Sequence, residues 1–203
     1  MNKNVDSTAM FKLSYGLFVL TARDGEKDNG CIINTCTQLT DKPLTISVCV
    51  NKSNLTHDMI AKTGIFNVSV LTTETPFETF TFFGFQSGRD VNKFEFDAAY
   101  ERSENGVFYL KYFCNSFISA KVINSIDCGT HTMFIAEVTE ASVLSNEESV
   151  TYEYYHKNIK PKPEAKKKGY VCRICGYIHE GDTLPEDFIC PICGHGVSDF
   201  EAL

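Results

Sequence analysis

Four cysteines near the end of the chain form two pairs, each with two residues between its members. The first pair is Cys172 and Cys175, and the second pair is Cys190 and Cys193. Cysteine thiolates in this kind of spacing hold a single ion in a tetrahedral site, and both iron and zinc accept such ligands. The spacing therefore predicts one four-cysteine metal site without choosing between the two metals.

The segment that carries these cysteines, residues 169–203, is called the tail. Chains below about 40 residues usually need a metal or disulfides to fold, and an ion held by four thiolates supplies that stability. Gly176 and Gly194 follow the second cysteine of each pair, where the backbone must turn sharply and glycine tolerates the positive φ required. His179 and His195 are extra candidate ligands, but four sulfurs already complete a tetrahedron, so we interpret both as surface residues.

The tail resembles rubredoxin, the small electron carrier with one iron on four cysteine thiolates. The segments YVCRICGYIHEGD, LPEDFICPICG and DFE carry this resemblance. The stretch between the two pairs is shorter than in typical rubredoxins and is similar to the trimmed version at the end of rubrerythrins. The resemblance implies a redox-active iron. A zinc ribbon used for folding or docking is the alternative, because ligand spacing alone does not select the metal.

Composition divides the chain into three parts. Residues 157–168, KNIKPKPEAKKK, carry two prolines and six lysines, which is typical of an extended and solvated linker. We therefore predict a front domain over residues 1–156, a Lys/Pro-rich linker over 157–168 and a rubredoxin-like domain over 169–203.

The overall composition excludes several classes of protein. The chain has 203 residues with a formal net charge of −7, so no basic face can dominate as it does in a nucleic-acid binder. No apolar run approaches the ~20 residues that span a bilayer, and the N-terminal residues lack the apolar core of a signal peptide. We expect a cytoplasmic protein with no nucleic-acid or membrane partner.

Structural disulfides are not expected in the cytoplasm. The cysteines outside the tail are interpreted mainly as small buried side chains: Cys31, Cys36, Cys49, Cys114 and Cys128.

The front domain is dominated by predicted strands. Apolar runs rich in β-branched and aromatic residues predict strands over 15–22, 30–37, 44–50, 65–71, 107–113, 117–126 and 131–143. Turn signals between the early strands are Asp24-Gly25, Asn29-Gly30 and Asp41-Lys42-Pro43. Seven strands with few helices predict a mainly β fold, a closed antiparallel barrel with helical insertions.

Two helices interrupt this pattern. Residues 56–63 predict a helix with Thr56 as its N-cap and an end at Gly64. Residues 75–83 predict a second helix with Thr75 as its N-cap and Pro76 at its first position.

Two polar segments of the front domain are suited to a flavin. Residues 34–40, NTCTQLT, close a predicted strand and offer hydroxyls, amides and backbone N–H groups, which suit the edge of a flat polar-rimmed ring. Residues 51–57 lead through Lys52 to a predicted helix start, where a phosphate can bind. Turn residues, helix caps and solvated lysines have the same appearance, so each segment alone leaves both interpretations open.

The order of the front-domain motifs resembles the flavin reductase-like family with an FMN-binding split barrel. The motifs are Asn29-Gly30, NTCTQLT, KPLTISVCVNKSNLTHDMI, GIFNVSVL, the segment FQSGRDVNKF and the strand GTHTMFIAEV. The resemblance implies a six-stranded split barrel that dimerises, binds FMN near the dimer interface and reduces it with NADH or NADPH. His131 aligns with a histidine near the flavin and the nicotinamide, although a hydrogen-bonded strand histidine is an equal alternative. The implied FMN contacts are Asn34, Thr35, Cys36, Thr37, Gln38, Asn51, Lys52, Ser53, Thr56 and His57.

The front domain and the tail together suit a chain of electron transfer. A nicotinamide gives up a hydride, whereas iron on four thiolates takes one electron at a time, and a flavin exchanges electrons in both modes. The combination resembles the high-molecular-weight rubredoxins, which implies electron flow from NAD(P)H through FMN to iron and on to a flavodiiron protein that reduces NO or O2. The alternative is a flavin reductase that releases reduced FMN and carries a zinc ribbon as a docking module.

Overall fold

The front domain is built on one seven-stranded antiparallel sheet. The computed structural model describes residues 7–95, 97–161 and 169–203. The strands of the front domain are β1 (Phe18–Asp24), β2 (Lys27–Ile33), β3 (Cys36–Asp41), β4 (Leu44–Asn51), β5 (Ile65–Leu71), β6 (Tyr100–Arg102), β7 (Phe108–Leu110), β8 (Cys114–Asp127) and β9 (His131–Val143). The sheet has the order β2-β1-β5-β8-β9-β4-β3, and β6 pairs with β7 in a separate hairpin. This arrangement confirms the predicted mainly β fold.

The sheet curls around an apolar core. Side chains that alternate along β1, β4 and β5 point inward, as in Leu20, Val48 and Val68, and helix α1 (Leu55–Thr63) covers them with Ile60. Among the described residues no hydrogen-bonded pairing joins the edge strands β2 and β3. The barrel is therefore split, as the family resemblance implies, and the closed barrel predicted from strand count is wrong. Residues Thr37–Asp41 of β3 are exposed and mostly polar, so they have little apolar surface to bury against β2.

Two of the predicted strands agree with the structure at both ends. The strands over 65–71 and 131–143 are confirmed residue for residue as β5 and β9. The predicted strand over 30–37 is wrong, because the chain divides there into β2 and β3. Asn29-Gly30 is not a turn but lies within β2, opposite Ala22 and Thr21 of β1. Gly30 serves packing in this strand, since a β-carbon there would lie 3.1 Å from the Phe83 ring.

Both predicted helices exist, but their starts are displaced. Helix α1 begins at Leu55 with Asn54 at the N-cap, so Thr56 is its second residue; its end at Gly64, with φ 71°, is confirmed. Helix α2 (Phe77–Gly84) begins two residues after Thr75. Thr75 is not the cap because its hydroxyl donates to the carbonyl oxygen of Thr72 at 2.7 Å.

A second aromatic core connects α2 to the end of the front domain. Short helical segments over Tyr152–Tyr154 and Tyr155–Ile159 bring Tyr155 against Phe80 of α2, with 4.6 Å between ring centroids. The predicted linker over 157–168 starts inside this helical segment, and its residues 162–168 lie outside the described part of the chain. The domain division stays a prediction.

The scattered cysteines differ in burial. Cys31 and Cys114 are buried and Cys36 and Cys49 are partly buried, but Cys128 is exposed, so the expectation of burial is wrong for that residue. Cys128 lies in the turn between β8 and β9, where the chain has no core to face. Within the described ranges, no helix is long and apolar enough to cross a membrane.

The tail folds as a small three-stranded sheet. Its strands are β10 (Gly169–Cys172), β11 (Ile178–Glu180) and β12 (Phe200–Ala202), in the order β11-β10-β12. The Leu203 N–H donates to the Gly169 carbonyl at 2.9 Å, which brings the two ends of the tail together. The aromatic ring of Phe188 lies between those of Tyr177 and Phe200, which pack against the cysteine cluster.

Candidate metal centre and flavin site

The four tail cysteines converge on one point. Their Sγ atoms all lie within 4.8 Å of one another, with 3.6 Å between Cys172 and Cys193 and 3.5 Å between Cys175 and Cys190. Sulfurs at a metal–sulfur distance of ~2.3 Å in a tetrahedron are separated by ~3.8 Å. The sulfur cluster therefore fits a single iron or zinc ion.

Local backbone turns position these sulfurs. The first cysteine loop, residues 172–176, is closed by the Gly176 N–H, which donates to the Cys172 carbonyl at 2.8 Å. The second cysteine loop, residues 190–194, is closed in the same way from Gly194 at 2.9 Å. Both glycines have positive φ, 82° and 73°, as the cysteine spacing predicts.

Burial affects the protonation of one sulfur in the cluster. It raises the pKa of the Cys175 thiol to about 12, and a positive ion among the sulfurs would hold Cys175 as a thiolate. His179 lies over the Phe188 ring at 4.5 Å, and His195 is paired with the Cys193 carbonyl at 3.1 Å. Neither histidine belongs to the ligand cluster found in the described residues.

The metal centre packs directly against the front domain. Phe85, which follows α2, contacts the cluster of Cys172, Cys175 and Cys190. Cys193 and its neighbour Ile192 line a cleft between tail and barrel. We call this space the interdomain cleft.

The predicted flavin segments meet at one end of the barrel. Thr35, just before β3, donates its hydroxyl to the Cys49 carbonyl of β4 at 2.9 Å, and the Cys49 N–H returns a bond to Thr35. Asn51, at the end of β4, lies opposite His131 at the start of β9. Thr35 therefore lies beside β4, Asn51 lies beside His131 of β9, and Asn34 precedes Thr35 in the segment between β2 and β3. Cys36, Thr37 and Gln38 continue along the exposed β3 edge, away from this end.

The segment after β4 is ordered by its own polar side chains. Ser53 donates both its N–H and its hydroxyl to Asn51 Oδ1 at 2.9 Å. Lys52 Nζ lies 2.7 Å from Asp127, and this hydrogen bond, with one from the Gly129 N–H, holds the pKa of Asp127 below its ordinary value. A phosphate that binds Lys52 would therefore displace Asp127 or share the lysine with it.

The two histidines occupy the same end of the barrel in different contacts. His57 is paired with the Thr132 hydroxyl at 2.9 Å and with Asp58 at 3.1 Å. His131 is paired with the neighbouring Thr130 hydroxyl at 2.9 Å. Its side chain is only partly buried, which leaves it available to a ligand.

Two interior polar residues near the cleft were not included among the predicted site residues. Lys93 is 3% exposed, lines the interdomain cleft with Ser53 and Ser87, and donates to the carbonyls of Gly30 at 2.9 Å and Phe83 at 3.1 Å. Burial lowers the pKa of Lys93 to about 8. In sequence a buried lysine looks like a solvated one, and the signals for Lys93 are its apolar neighbours Val91 and Phe94 and its place in the segment FQSGRDVNKF.

Asn29 is the second of these residues, and it fixes the loop over the cleft. Its amide donates to the buried hydroxyl of Thr56 at 3.0 Å, so Thr56 faces the interior of the barrel. A β-carbon at Gly88 would overlap the Asn29 amide. Glycine at position 88 therefore lets the Ser87–Gly88 loop rest on the strand below it. Together, the buried amine of Lys93 and the hydroxyls of Ser53 and Ser87 give the cleft polar groups that suit an anionic, carbonyl-rich group such as a flavin.

Comparison with known proteins identifies two matching families. Residues 10–162 match the family described as flavin reductase like domain, and residues 170–201 match the rubrerythrin, rubredoxin-like domain. The chain is 37% identical over 230 residues to the high molecular weight rubredoxin of Moorella thermoacetica, covering 98% of this chain and 100% of that protein. It is 41% identical over 152 residues to the ferric-chelate reductase (NAD(P)H) of Archaeoglobus fulgidus, covering 75% and 89% of the two chains.

Solved structures agree with these matches at the level of fold. An FMN-binding protein from Thermus thermophilus superposes with a TM-score of 0.63 at 19% identity, covering 71% of this chain and 79% of the other.

Proposed function

The chain is an oxidoreductase of the flavin reductase-like family with a C-terminal rubredoxin-like domain, as in the high molecular weight rubredoxins, and we propose that it passes electrons from NAD(P)H through FMN to an iron ion on four cysteines. The proposed final acceptor is a separate redox protein such as a flavodiiron NO or O2 reductase. The proposed setting is the cytoplasm, where the nine free cysteines would stay reduced.

One observation carries this proposal. The cysteine cluster packs against Phe85, and Cys193 shares the interdomain cleft with Ser53, Ser87 and Lys93 of the barrel. A metal centre used only for folding has no need to face a cleft that contains Ser53, one of the proposed FMN contacts. This placement supports direct delivery of electrons from the flavin to the tail.

A bound flavin supplies the exchange between hydride chemistry and single electrons. The residues of this chain have the task of holding and shielding the groups involved. The FMN phosphate is proposed to bind to Asn51, Lys52 and Ser53. Asn51 and Ser53 are already joined by two hydrogen bonds. Asn34, Thr35, Cys36, Thr37 and Gln38 are proposed to line the ring and ribityl chain, with His131 at the nicotinamide side. Thr56 and His57 are proposed to complete the phosphate site through the start of α1.

In the tail, Cys172, Cys175, Cys190 and Cys193 are proposed to hold the iron, and the rings of Tyr177 and Phe200 pack against the cysteine cluster. Phe85 closes the side that faces the barrel.

We also propose a homodimer, because β3 is an exposed edge strand whose outer side has no partner strand among the described residues. Sedimentation analysis of the full chain would test that state.

The test uses protein purified without oxygen and analysed for iron, zinc and flavin. We expect a visible ferric–thiolate band that bleaches when NADH or NADPH is added, and flavin reduction that precedes the bleaching. The Cys175→Ala variant should retain NAD(P)H-dependent flavin reduction and lose electron delivery to an added acceptor. Native protein that contains only zinc, or iron that stays oxidised beside fully reduced flavin, would contradict the proposal.

A second function is favoured by one comparison. The ferric-chelate reductase of A. fulgidus aligns with the front domain, so a relative of the barrel acts as a reductase in its own right. The alternative is that the barrel releases reduced FMN and the tail is a zinc-filled docking ribbon. Weak FMN retention together with a colourless tail would support this alternative over the relay.

A further inference from the structure

We propose that Lys160 is a positioning residue that fastens the first cysteine loop of the tail to the barrel. The inference deepens the proposed function, because the flavin can deliver electrons to the tail only while the cysteine cluster stays docked beside the cleft. Lys160 lies in the segment that composition alone predicts to be a solvated linker.

The contact is made by side-chain donors on backbone acceptors. Lys160 Nζ donates to the carbonyl oxygen of Arg173 at 2.6 Å and to that of Ile174 at 3.1 Å. These two residues separate Cys172 from Cys175, so the ammonium group of Lys160 binds the first cysteine loop itself. Hydrogen bonds from a charged donor are roughly twice as strong as those between neutral groups, and Lys160 is partly buried.

The backbone of Lys160 belongs to the barrel side of this contact. Its N–H donates to the Tyr155 carbonyl at 2.8 Å, which ends the helical segment over Tyr155–Ile159. Tyr155 is itself buried against Phe80 of α2. The side chain of Lys160 therefore extends from a fixed point of the front domain to the tail.

The aromatic residues around Tyr155 also support the second contact between the barrel and the tail. Phe77, at the start of α2, lies 6.4 Å from Tyr155 and 6.3 Å from Phe85, ring centroid to ring centroid. Phe85 packs on the cysteine cluster. Lys160 and Phe85 thus meet the tail from one aromatic scaffold, one with hydrogen bonds and the other with an apolar ring.

Only a long side chain with several donors satisfies this arrangement. Two carbonyls must be reached from one atom, and the side chain must pass Gly176, where a β-carbon would already lie 3.5 Å from Lys160 Cε. Methionine has a similar length but no donor. Lys160→Met therefore removes the bonds and preserves much of the packing. Lys157 provides the matched control, because it lies three residues earlier, is 69% exposed and pairs with Glu153 instead of the tail.

The experiment measures docking in zinc-loaded full-length protein, where no electron transfer takes place. Amide 15N relaxation reports whether tail and barrel tumble together. In Lys160→Met we expect the apparent rotational correlation time of the tail to fall by about twofold relative to the barrel, as it does for a small domain on a flexible tether. Amide signals of Phe85 to Ser87 and of Arg173 and Ile174 should shift. Signals across the β10–β12 pairing should persist, which verifies that the tail is folded. Lys157→Met should match the wild type.

A second measurement follows the iron-loaded protein by rapid mixing with NADH. The flavin-reduction step should be unchanged in Lys160→Met, and the subsequent bleaching of the iron should slow by about tenfold because docking is no longer maintained. Lys160→Arg, which keeps charge and donors, should restore at least part of the rate.

Unchanged tail tumbling in Lys160→Met, or independent tumbling of the tail in the wild type, overturns the proposal. If the tail of Lys160→Met loses zinc, Lys160→Gln replaces it and the same relaxation criterion applies. If Lys160→Met releases the tail but the wild-type flavin never reduces the iron, the docking role stands and the electron-relay function fails.

Discussion

Removal of one tail sulfur provides the sharpest test of the metal centre. The perturbation is Cys175→Ala in the full chain, with Cys114→Ala as its matched control. Both cysteines are buried, at 6% and 4% exposure, but Cys114 belongs to the barrel, where its thiol donates to the Leu110 carbonyl. Each substitution removes one sulfur atom, and only one of them removes a proposed ligand.

The magnitude follows from how little else holds the tail. In the described residues of the tail, Val171 is the only buried hydrophobic side chain apart from cysteines. Burial of one valine contributes about 1.5–3 kcal/mol, whereas a structural metal in a site of this size contributes about 10–16 kcal/mol. Loss of one ligand therefore removes a large part of the free energy that keeps the tail folded. We expect the tail of Cys175→Ala to be unfolded, while the barrel, which has its own cores, stays folded.

The assay is a two-dimensional amide NMR spectrum combined with metal analysis and thermal unfolding. Dispersed signals from β10, β11 and β12 should disappear in Cys175→Ala and persist in Cys114→Ala. Chelation of the metal from wild-type protein should have the same effect as Cys175→Ala. A metal-free Cys175→Ala tail that retains dispersed signals would refute the reasoning, because its fold would then rest on forces other than the ion.

Three further predictions concern the barrel. Gly88→Ala should weaken FMN binding by about tenfold, or 1.4 kcal/mol, because the β-carbon forces the loop off Asn29; a fluorescence titration with FMN measures this, and unchanged affinity contradicts it. Thr56→Val should lower the free energy of unfolding in urea by about 1–3 kcal/mol, because the buried Asn29 amide loses its partner, whereas Thr37→Val on the exposed β3 edge should have little effect. Burial lowers the pKa of Lys93 from 10.5 to about 8, so the unfolded chain binds more protons at this residue between these values, and the contribution of Lys93 to the free energy of unfolding should rise with pH across that window by at most about 3 kcal/mol. Buried thiols such as Cys36 and Cys114 have raised pKa values and oppose this rise, so the measurement is the difference in free energy of unfolding in urea between the wild type and Lys93→Met at each pH. This difference should shift in favour of the wild type as the pH rises, and a constant difference contradicts the prediction.

The parts of the structure that sequence predicts well are those set by local chemistry. The cysteine loops follow from the spacing of four sulfurs and from glycines at Gly176 and Gly194 that permit positive φ. Strands β5 and β9 follow from continuous or alternating apolar runs. In each case the residues that determine the structure lie within a few positions of one another.

The parts that sequence misses depend on distant partners. Asn29-Gly30 has the composition of a turn, but the pairing of β2 with β1 and the ring of Phe83 decide its conformation. Thr75 is a residue type that often caps a helix, but its hydroxyl donates to the Thr72 carbonyl instead. The buried position of Lys93 results from packing around the cleft and leaves no periodic signal in the sequence.

The docking of the tail is the least predictable feature. Lys160 binds backbone carbonyls, which every residue has, so no side-chain pattern at Arg173 or Ile174 identifies the contact. Composition predicts an unpacked linker at that position, and only the three-dimensional structure places its lysine on the cysteine loop. The flavin contacts carried over from the family resemblance stay predictions, although the structure brings Asn34, Thr35, Asn51 and His131 to one end of the barrel.

The closed ends of the tail have a consequence for protein engineering. Because the Leu203 N–H bonds to the Gly169 carbonyl, the entry and exit points of this domain lie side by side. A fragment with adjoining ends can be inserted into a surface loop of an unrelated host without stretching either protein. Any such cassette must keep glycine at position 169, because a β-carbon there would overlap the backbone carbonyl of His179 on the neighbouring strand.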